Sequence, residues 1–572
     1  MKNLKNSIFA VLVGAVSVLV VVGCSHDSEP GRLNDQGASF GLRPLKSDEL
    51  LTDFDTLVSN VNAYYGPREY KEKRFGYSIA ELAKGFREKV SAASSEAEAL
   101  GYFYQFLAKL DDGHVSLRVA ETSGGVLSHS LGLFLTPVAG RALVGDIVDK
   151  ELVTSPQVEI GDEVLSIDGV KPFDLLPIIT KYAWIANPIS AQHLIMRAMI
   201  RPFYMTEIAP KSPTAKVELQ KANGQKYALD LTWKEKKIPL LAEPVIAAGH
   251  DFSVPFATEL NQMTSNNISQ MGQTNPFFLN EKTQAKYGFI KVKPSAQILA
   301  AAGVAETEVP DIYAATYTFG GKKILLIRQA TYAPEDFEPS LYLAAYFAIL
   351  KEYESKVDVL VIDQTHNPGG DGSYCTNFFG LLNDVNKEAP VQMCRADRKW
   401  MDDLSSSEGV TDPESLAVGI SMAKEIEKAY DAGDWLSSPL PIFVGTENVQ
   451  GGGAWNKPIL VLIDELAGSC GDVFPMLIRD NKRAKLFGQR TMGLGGNVEP
   501  VVTLPFSQAK LNLTRGLFMT HRSDGVYDES NFVENNGVQP DYPYSHTVED
   551  FRGGFVGFIE QFSNKAVEQI AP

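Results

Sequence analysis

The chain has 572 residues and a formal net charge of −17 at pH 7, with 44% hydrophobic and 22% charged residues. This length exceeds what a single hydrophobic core organises, so we expect several domains. The acidic balance argues against a nucleic-acid-binding surface, and the apolar content is that of a globular protein rather than a disordered one.

Residues 1–23 have the pattern of a signal peptide, because a basic start is followed by an apolar run at 8–22. About 15 apolar residues are too few to span a membrane comfortably. The sequence VVGC ending at Cys24 is similar to a bacterial lipobox, in which the cysteine is acylated; a plain signal peptide cleaved elsewhere is the alternative. Ser25 follows, so we expect an outer-membrane lipoprotein of the bacterial cell envelope that faces the periplasm. Residues 24–40 would form a lipid-anchored tether, and the lipid anchor would be the protein's only contact with the membrane.

Residues 41–119 are predicted to form an N-terminal helical domain. Apolar residues recur there at spacings of three and four along three successive segments. The third segment ends in LAKLDDGHVSLRV, where Asp112-Gly113 breaks the helix and His114 opens a strand.

Residues 120–235 are predicted to form a β domain that ends in a hairpin with an Asn223-Gly224 turn. The run IGDEVLSIDGVKPFD at 160–174 resembles part of a PDZ domain, and LGLFL at 131–135 resembles the carboxylate-binding loop of that domain. Such a domain binds a peptide as an added strand. A small β-barrel without peptide affinity is the alternative.

Residues 312–572 alternate between short apolar strands and helices. This alternation predicts an α/β core with a parallel sheet covered by helices. Residues 236–311 show no sustained period apart from the strand-like GFIKVK, so we interpret them as an insertion or linker. A second insertion is predicted at about 393–456, with a helix near 413–432.

The stretch LAGSCGDVF at 466–474 is the strongest candidate for chemistry. The preceding PILVLID predicts a buried strand and the following residues a helix, which places Ser469 at a strand-to-helix turn of small residues. Such a turn can expose a hydroxyl and aim the first N–H groups of the helix at a developing negative charge. The alternative is a tight turn with an N-capping serine, since the G-x-S-x-G motif is absent.

Four short segments occur in a recognisable order, with the PDZ-like run between the first and second. In this order they resemble the carboxyl-terminal processing (tail-specific) serine peptidase family. The resemblance implies a helical N-terminal region, a PDZ domain and a ClpP/crotonase-like α/β catalytic core. The segments are DDGHVSL at 111, VIDQTHNPGG at 361, LIDELAGSCGDVF at 462 and ENNGVQPDYP at 534.

The resemblance implies that Ser469 is the nucleophile. One branch of the family takes its base from a lysine in an F-G-K-G motif, but here the segment reads MGLGG and Leu494 stands in the place of the lysine. A second branch, which includes tricorn protease and the chlamydial protease-like activity factor, uses a histidine and a carboxylate instead. Its motifs fall on His114 and Glu534.

These residue types suit acyl transfer. A histidine titrates near neutrality and can take the serine proton, so a pH profile with an apparent pKa of about 6.5–7 is expected. A carboxylate on the other ring nitrogen holds the tautomer and stabilises the imidazolium. Oxyanion donors are expected from the N–H of Cys470 and from Gly369 or Gly370, where no side chain blocks the approach of the backbone.

Several residues compete for these roles. His366 lies in the NPGG turn and rivals His114 as the base. Cys375 and Cys394 could form a disulfide in an oxidising compartment, which would leave Cys470 as the odd thiol and a conceivable nucleophile. Other candidates are Glu529 and Glu499 for the carboxylate, and Lys482, Lys485 and Lys510 for a relocated lysine base.

The sequence therefore predicts a serine endopeptidase that cleaves proteins or peptides through an acyl-enzyme. A catalytically inactive peptide- or ligand-binding lipoprotein on a peptidase scaffold is the alternative. We find no HExxH, CxxC or paired-carboxylate pattern, so no metal and no other cofactor is expected. A homo-oligomer is compatible with the sequence, and a nucleic-acid partner is not expected.

Overall fold

The computed structural model describes residues 45–118, 126–153, 158–183, 187–237, 275–334, 338–407, 413–442, 448–519, 527 and 529–570. The predicted signal peptide, tether and Cys24 lie outside these ranges. Within them, no helix combines the length and the apolar character needed to cross a membrane. The described residues divide into two compact units: an N-terminal unit within 45–237 together with 497–516, and an α/β unit within 275–496 and 517–570.

The N-terminal unit begins with four helices whose apolar faces are buried together. In the first, Leu50, Phe54 and Leu57 recur at helical spacing and are almost fully buried. Ser78 and Ser95 cap the third and fourth helices by accepting backbone N–H groups. The predicted helical domain therefore forms as α1 Ser47–Tyr64, α2 Arg68–Phe75, α3 Ile79–Ala92 and α4 Glu96–Ala108.

A β domain follows within the same unit, as predicted from the hairpin and strand patterns. The last two strands of its five-stranded sheet, ordered β3-β4-β5-β7-β8, form the hairpin around Asn223-Gly224. A second sheet has the order β6-β2-β9. Peptide binding by this domain stays a prediction. The elements are β2 Val126–Ser130, β3 Leu133–Val138, β4 Arg141–Ile147, β5 Glu163–Ile167, α5 Leu176–Ile179, α6 Pro188–Ala191, β6 Ile200–Pro202, β7 Thr214–Gln220, β8 Lys226–Thr232 and β9 Lys234–Lys237.

A late segment of the chain completes the N-terminal unit. The hairpin of β20 (Val498–Thr503) and β21 (Lys510–Thr514) pairs antiparallel with β1 (Ser116–Arg118), which follows His114. The buried carboxylate of Asp53 on α1 accepts the N–H groups of Phe506 at 2.9 Å and Ser507 at 2.7 Å. Residues 497–516 were predicted within the α/β core, but they cluster with the N-terminal unit instead.

The α/β unit is built on a seven-stranded sheet with the order β10-β11-β12-β13-β18-β19-β23. The strands from β12 to β23 are parallel, and β10 and β11 pair antiparallel. Because β10 comes from the stretch interpreted as an insertion or linker, that stretch supplies an edge of the sheet. The strands are β10 Ile290–Lys291, β11 Ala314–Phe319, β12 Lys322–Arg328, β13 Val359–Asp363, β18 Ile459–Ile463, β19 Lys485–Gly488 and β23 Tyr542–Pro543.

Helices cover both faces of this sheet, which explains why its strands are apolar throughout. On β12, Leu325 and Ile327 pack in one cluster with Phe474 of α13, whereas Ile324 and Leu326 pack in another with Phe558 of α15. The helices are α7 Glu281–Tyr287, α8 Ala296–Ala301, α9 Pro339–Tyr353, α10 Gly372–Leu381, α13 Cys470–Asp480, α14 Val548–Gly553 and α15 Val556–Glu568.

The predicted insertion near 393–456 forms a small subdomain between β13 and β18 in the chain. Its long helix has the bounds expected from the sequence, and two small sheets flank it with the orders β14-β17 and β16-β15-β22. Its elements are β14 Lys387–Glu388, β15 Val391–Cys394, α11 Arg398–Ser405, α12 Pro413–Ala432, β16 Leu440–Pro441, β17 Asn448–Val449 and, later in the chain, β22 Gly516–Met519.

Candidate active site

Ser469 lies in a sharp turn between β18 and α13 and has an unusual backbone conformation. Its φ of 57° and ψ of −120° fall outside the regions that L-residues usually occupy. Its side chain makes no capping hydrogen bond to α13, so the alternative of a simple N-capping serine is wrong. A residue held in this way costs about 1–3 kcal/mol, and such residues cluster at active sites. The geometry is that of a strained strand-to-helix turn, a kind of turn that can expose a nucleophile, although the G-x-S-x-G motif is absent.

The turn that follows β13 lies directly against the turn of Ser469. Gly369 and Gly370 both have positive φ, +103° and +133°. A Cβ on Gly369 would lie 2.6 Å from Cβ of Ser469 and 2.8 Å from the backbone nitrogen of Cys470; one on Gly370 would lie 2.3 Å from the backbone of Tyr332. No side chain fits at either position, so glycine allows the two turns to touch.

Two backbone N–H groups beside Ser469 are available to a ligand. Within the described ranges, neither Cys470 nor Gly370 donates its N–H to a protein acceptor. The N–H of Gly369, in contrast, donates to Oδ1 of Asn367 at 2.9 Å. Of the two glycines predicted as donors, Gly370 therefore retains a free donor and Gly369 does not.

The cysteines near this site are reduced. Cys375, Cys394 and Cys470 are all free, so the disulfide considered between Cys375 and Cys394 does not form. Cys375 Sγ instead lies 3.7 Å from the backbone oxygen of Cys470. Cys470 Sγ donates to the backbone oxygen of Gly370 at 3.0 Å, which links the two turns once more.

Asp472, in the first turn of α13, holds the loop that contains Leu494, the residue in the place of the lysine of the F-G-K-G motif. Its buried carboxylate accepts the N–H groups of Gly493 and Leu494, each at 2.9 Å, and the hydroxyl of Thr491. Burial raises the pKa of Asp472 to about 6, against these hydrogen bonds. Sequence reasoning missed this residue, because an acid at a helix N-terminus has an ordinary explanation in the helix dipole.

Glu534 is fully buried in the α/β unit, and one of its carboxylate oxygens accepts the N–H of Gly495 at 2.9 Å. Glu534 and Asp472 therefore bind adjacent residues of one loop. Of its rivals, Glu499 is engaged in a buried ion pair with Arg515 at 2.6 Å. Glu529, in a 3₁₀ turn, is only partly buried. Glu534 therefore differs from Glu529 in being fully buried, and Glu499 is held by its own ion pair with Arg515.

His114 belongs to the N-terminal unit and is fully buried there. Its backbone N–H donates to Asp112 at 2.9 Å, and Tyr65 donates its hydroxyl to the same carboxylate at 3.0 Å. Neither ring nitrogen is hydrogen-bonded within the described ranges. Burial lowers the pKa of His114 to about 4, partly offset by Asp112 and assisted by Lys71. Its pairing with Ser469 stays a prediction.

The competing bases are engaged or exposed. His366 Nδ1 lies 2.5 Å from Oδ2 of Asp464, and this ion pair raises the pKa of His366 despite burial, so the ring nitrogen already has a partner. Lys485 is exposed and bonded to Asp541, which raises its pKa, whereas a lysine base needs a lowered one. Lys482 and Lys510 are exposed to solvent.

Comparison with known proteins supports this reading of the α/β unit. Residues 336–544 match the model of Peptidase family S41. A protein of Chlamydia pneumoniae is 24% identical over 581 residues, covering 91% of this chain and 90% of its own length. One of Chlamydia trachomatis serovar D is 25% identical over 569 residues, covering 89% and 90%.

A solved structure has the same fold. The structure of mature CPAF complexed with lactacystin superposes with a TM-score of 0.70 at 23% identity, covering 92% of this chain and 99% of that one. At this identity the likeness establishes the fold. The expected multidomain α/β organisation with a helical N-terminal region is therefore confirmed.

Proposed function

We propose that this chain, a serine peptidase by its Peptidase family S41 domain, cleaves proteins or peptides through an acyl-enzyme formed on Ser469. The observation that carries the proposal is the strained conformation of Ser469 at the start of α13, with its hydroxyl not used as a helix cap. A serine hydroxyl is otherwise best placed to stabilise a helix end. Because the Ser469 hydroxyl does not cap the helix, it is available for attack.

In the proposed reaction, Ser469 Oγ attacks the scissile carbonyl while His114 takes its proton. His114 then returns the proton to the leaving amine, and water releases the acyl group by the same path. Glu534 is proposed as the carboxylate that orients and stabilises the imidazolium. The burial of His114 and Glu534 supports these roles, because charge interactions are strongest where water is excluded.

The oxyanion is proposed to bind the N–H groups of Cys470 and Gly370. Both donors are free of protein acceptors among the described residues, and the Gly369 backbone closes the gap between the two turns. Fixed donors of this kind stabilise the negative charge of the tetrahedral intermediate at no reorganisation cost. Gly369 is therefore proposed to act by its shape rather than as a donor.

A fluorophosphonate probe tests the nucleophile directly. The wild-type chain should be labelled once, and peptide mass spectrometry should locate the phosphonate on Ser469. Heat-unfolded protein is the control, since an unactivated serine hydroxyl does not react at an appreciable rate. A label on Cys470, or on any serine other than Ser469, would overturn the proposal.

The acid limb of the pH profile should lie well below the value expected from the sequence. Neutral His114 is the active form, and its pKa of about 4 means that it stays neutral as pH falls through 6.5. On the acid side of neutrality, we expect kcat/KM to stay level from about pH 6.5 to 5 and to fall about tenfold per pH unit below about 4. An acid limb centred near 6.5 would contradict this prediction.

In the pH profile, unfolding of the chain at low pH needs to be separated from protonation of His114. An unfolded histidine binds a proton below about pH 6.5 and buried His114 does not, so this residue makes the folded state less stable as pH falls from 6.5 to 4. Circular dichroism at each pH identifies the range in which the chain is folded. Only rates from that range enter the profile.

A further inference from the structure

A titratable pair lies beside the two turns that meet at Ser469. His366 sits in the NPGG turn with a positive φ of 57°, and its Nδ1 lies 2.5 Å from Oδ2 of Asp464. Asp464 directly follows β18 and is almost fully buried, whereas the His366 side chain is 39% exposed. The ring can therefore exchange protons with solvent while the carboxylate stays inside.

Asp464 holds both turns through their backbones. Its oxygens accept the N–H of His366 at 2.8 and 3.0 Å, at the start of the turn that contains Gly369 and Gly370. One of the same oxygens accepts the N–H of Leu466 at 3.1 Å, at the start of the turn that leads to Ser469. A single carboxylate is thus the common anchor of the two walls of the site.

We propose that His366 and Asp464 are positioning residues for the peptidase reaction, in which the ion pair fixes the carboxylate that holds the oxyanion turn against the nucleophile turn. This proposal rests on the proposed function, which assigns the oxyanion to those turns. His366 does not touch the substrate. It acts through Asp464, and only while its ring is charged.

The charges around His366 decide when the pair is intact. Burial disfavours the imidazolium, but Asp464 outweighs burial and raises the pKa of His366 above its usual value; Glu465 acts in the same direction and Arg328 against it. His546 also faces the pair, and burial lowers its own pKa. The ionised Asp464 keeps a lowered pKa because of His366. The pair is therefore charged below the raised pKa of His366 and is lost as pH rises through it.

The experiment that tests this proposal removes the charge of His366 and keeps the backbone conformation at that position. His366→Asn suits the positive φ, since asparagine tolerates that conformation, but it cannot become a cation. On the acid side of the raised His366 pKa, we expect kcat to fall about tenfold with KM unchanged, less than the roughly 10²–10³ lost with an oxyanion donor. The wild-type kcat profile should have an alkaline limb that is absent in His366→Asn. The same limb should be absent in Asp464→Asn. His546→Asn is the matched control and should keep that limb, because His546 is neutral there.

A titration independent of turnover separates this proposal from the proposed function. In Ser469→Ala protein with labelled histidine rings, NMR should show a His366 pKa above 6.5 that falls towards 6.5 when Asp464→Asn is added. A His366 pKa at or below 6.5, or an unchanged kcat profile in His366→Asn, would overturn the positioning role while Ser469 labelling stands. Labelling away from Ser469 would overturn the proposed function, even with the raised pKa observed.

Discussion

Replacing Ser469 with alanine is expected to lower kcat about 10⁶-fold, because the proposed nucleophile is removed while the rest of the site stays in place. Hydrolysis of a fluorogenic peptide or an unfolded protein substrate measures the loss. Ser545→Ala is the control: this exposed serine in the same unit donates only to Gln489 at 3.2 Å, and its loss should leave kcat unchanged. A Ser469→Ala variant that retains a tenth of the activity would end the assignment.

A companion variant tests whether Ser469 is strained. Glycine adopts positive φ readily, so Ser469→Gly relieves the conformation that alanine retains. Relief of about 1–3 kcal/mol exceeds the entropy that glycine adds to the unfolded chain, about 0.4–1 kcal/mol. We therefore expect Ser469→Gly to be more stable than Ser469→Ala by about 1 kcal/mol in urea unfolding. Equal stability would mean that the strain does not exceed the entropy that glycine adds to the unfolded chain, about 0.4–1 kcal/mol.

Gly369→Ala is expected to lower kcat by about 10²–10³. The added methyl would meet Ser469 Cβ at 2.6 Å and the Cys470 nitrogen at 2.8 Å, so the nucleophile, the proposed donor or both must move. Real Cβ atoms do not approach other atoms so closely, and the neighbours here are backbone or the first side-chain atom of a turn. Steady-state kinetics should show the loss mainly in kcat, since substrate contacts outside the oxyanion site are unchanged.

The control for this variant separates steric contact from backbone strain. Gly433 also has a positive φ of 80°, but a Cβ there would meet nothing within 4 Å. Gly433→Ala should therefore lower the free energy of unfolding by about 1–2 kcal/mol and leave kcat unchanged. If both variants lost the same activity, contact with Ser469 would not be the cause of the Gly369→Ala defect.

Local patterns were sufficient to predict the elements that carry the site. The apolar run before Asp464 predicted β18, and helical spacing predicted α12 with its observed bounds. The small residues around Ser469 indicated a strand-to-helix turn, which the structure contains. These predictions succeed because each depends on neighbours a few residues apart, within the reach of strand and helix periodicity.

Other features depend on residues far apart in the chain, and periodicity carries no information about them. Asp464 meets His366 across 98 residues, and Asp53 meets Phe506 across 453. The side chain of Asn367 accepts the N–H of Gly369 and leaves the N–H of Gly370 without a protein acceptor among the described residues. The sequence could therefore propose either glycine as a donor, and only the three-dimensional hydrogen bonds distinguish them.

The position of the β20–β21 hairpin imposes an order on biosynthesis. The N-terminal unit needs residues 497–516, in which β21 pairs with β1 and the backbone after β20 satisfies buried Asp53. Roughly 240 residues must leave the ribosome between the two parts, which takes on the order of tens of seconds at about 5–20 residues per second. Until then the nascent chain carries an unpaired strand edge and an unpartnered buried acid. The N-terminal unit therefore cannot mature before residues 497–516 have been synthesised.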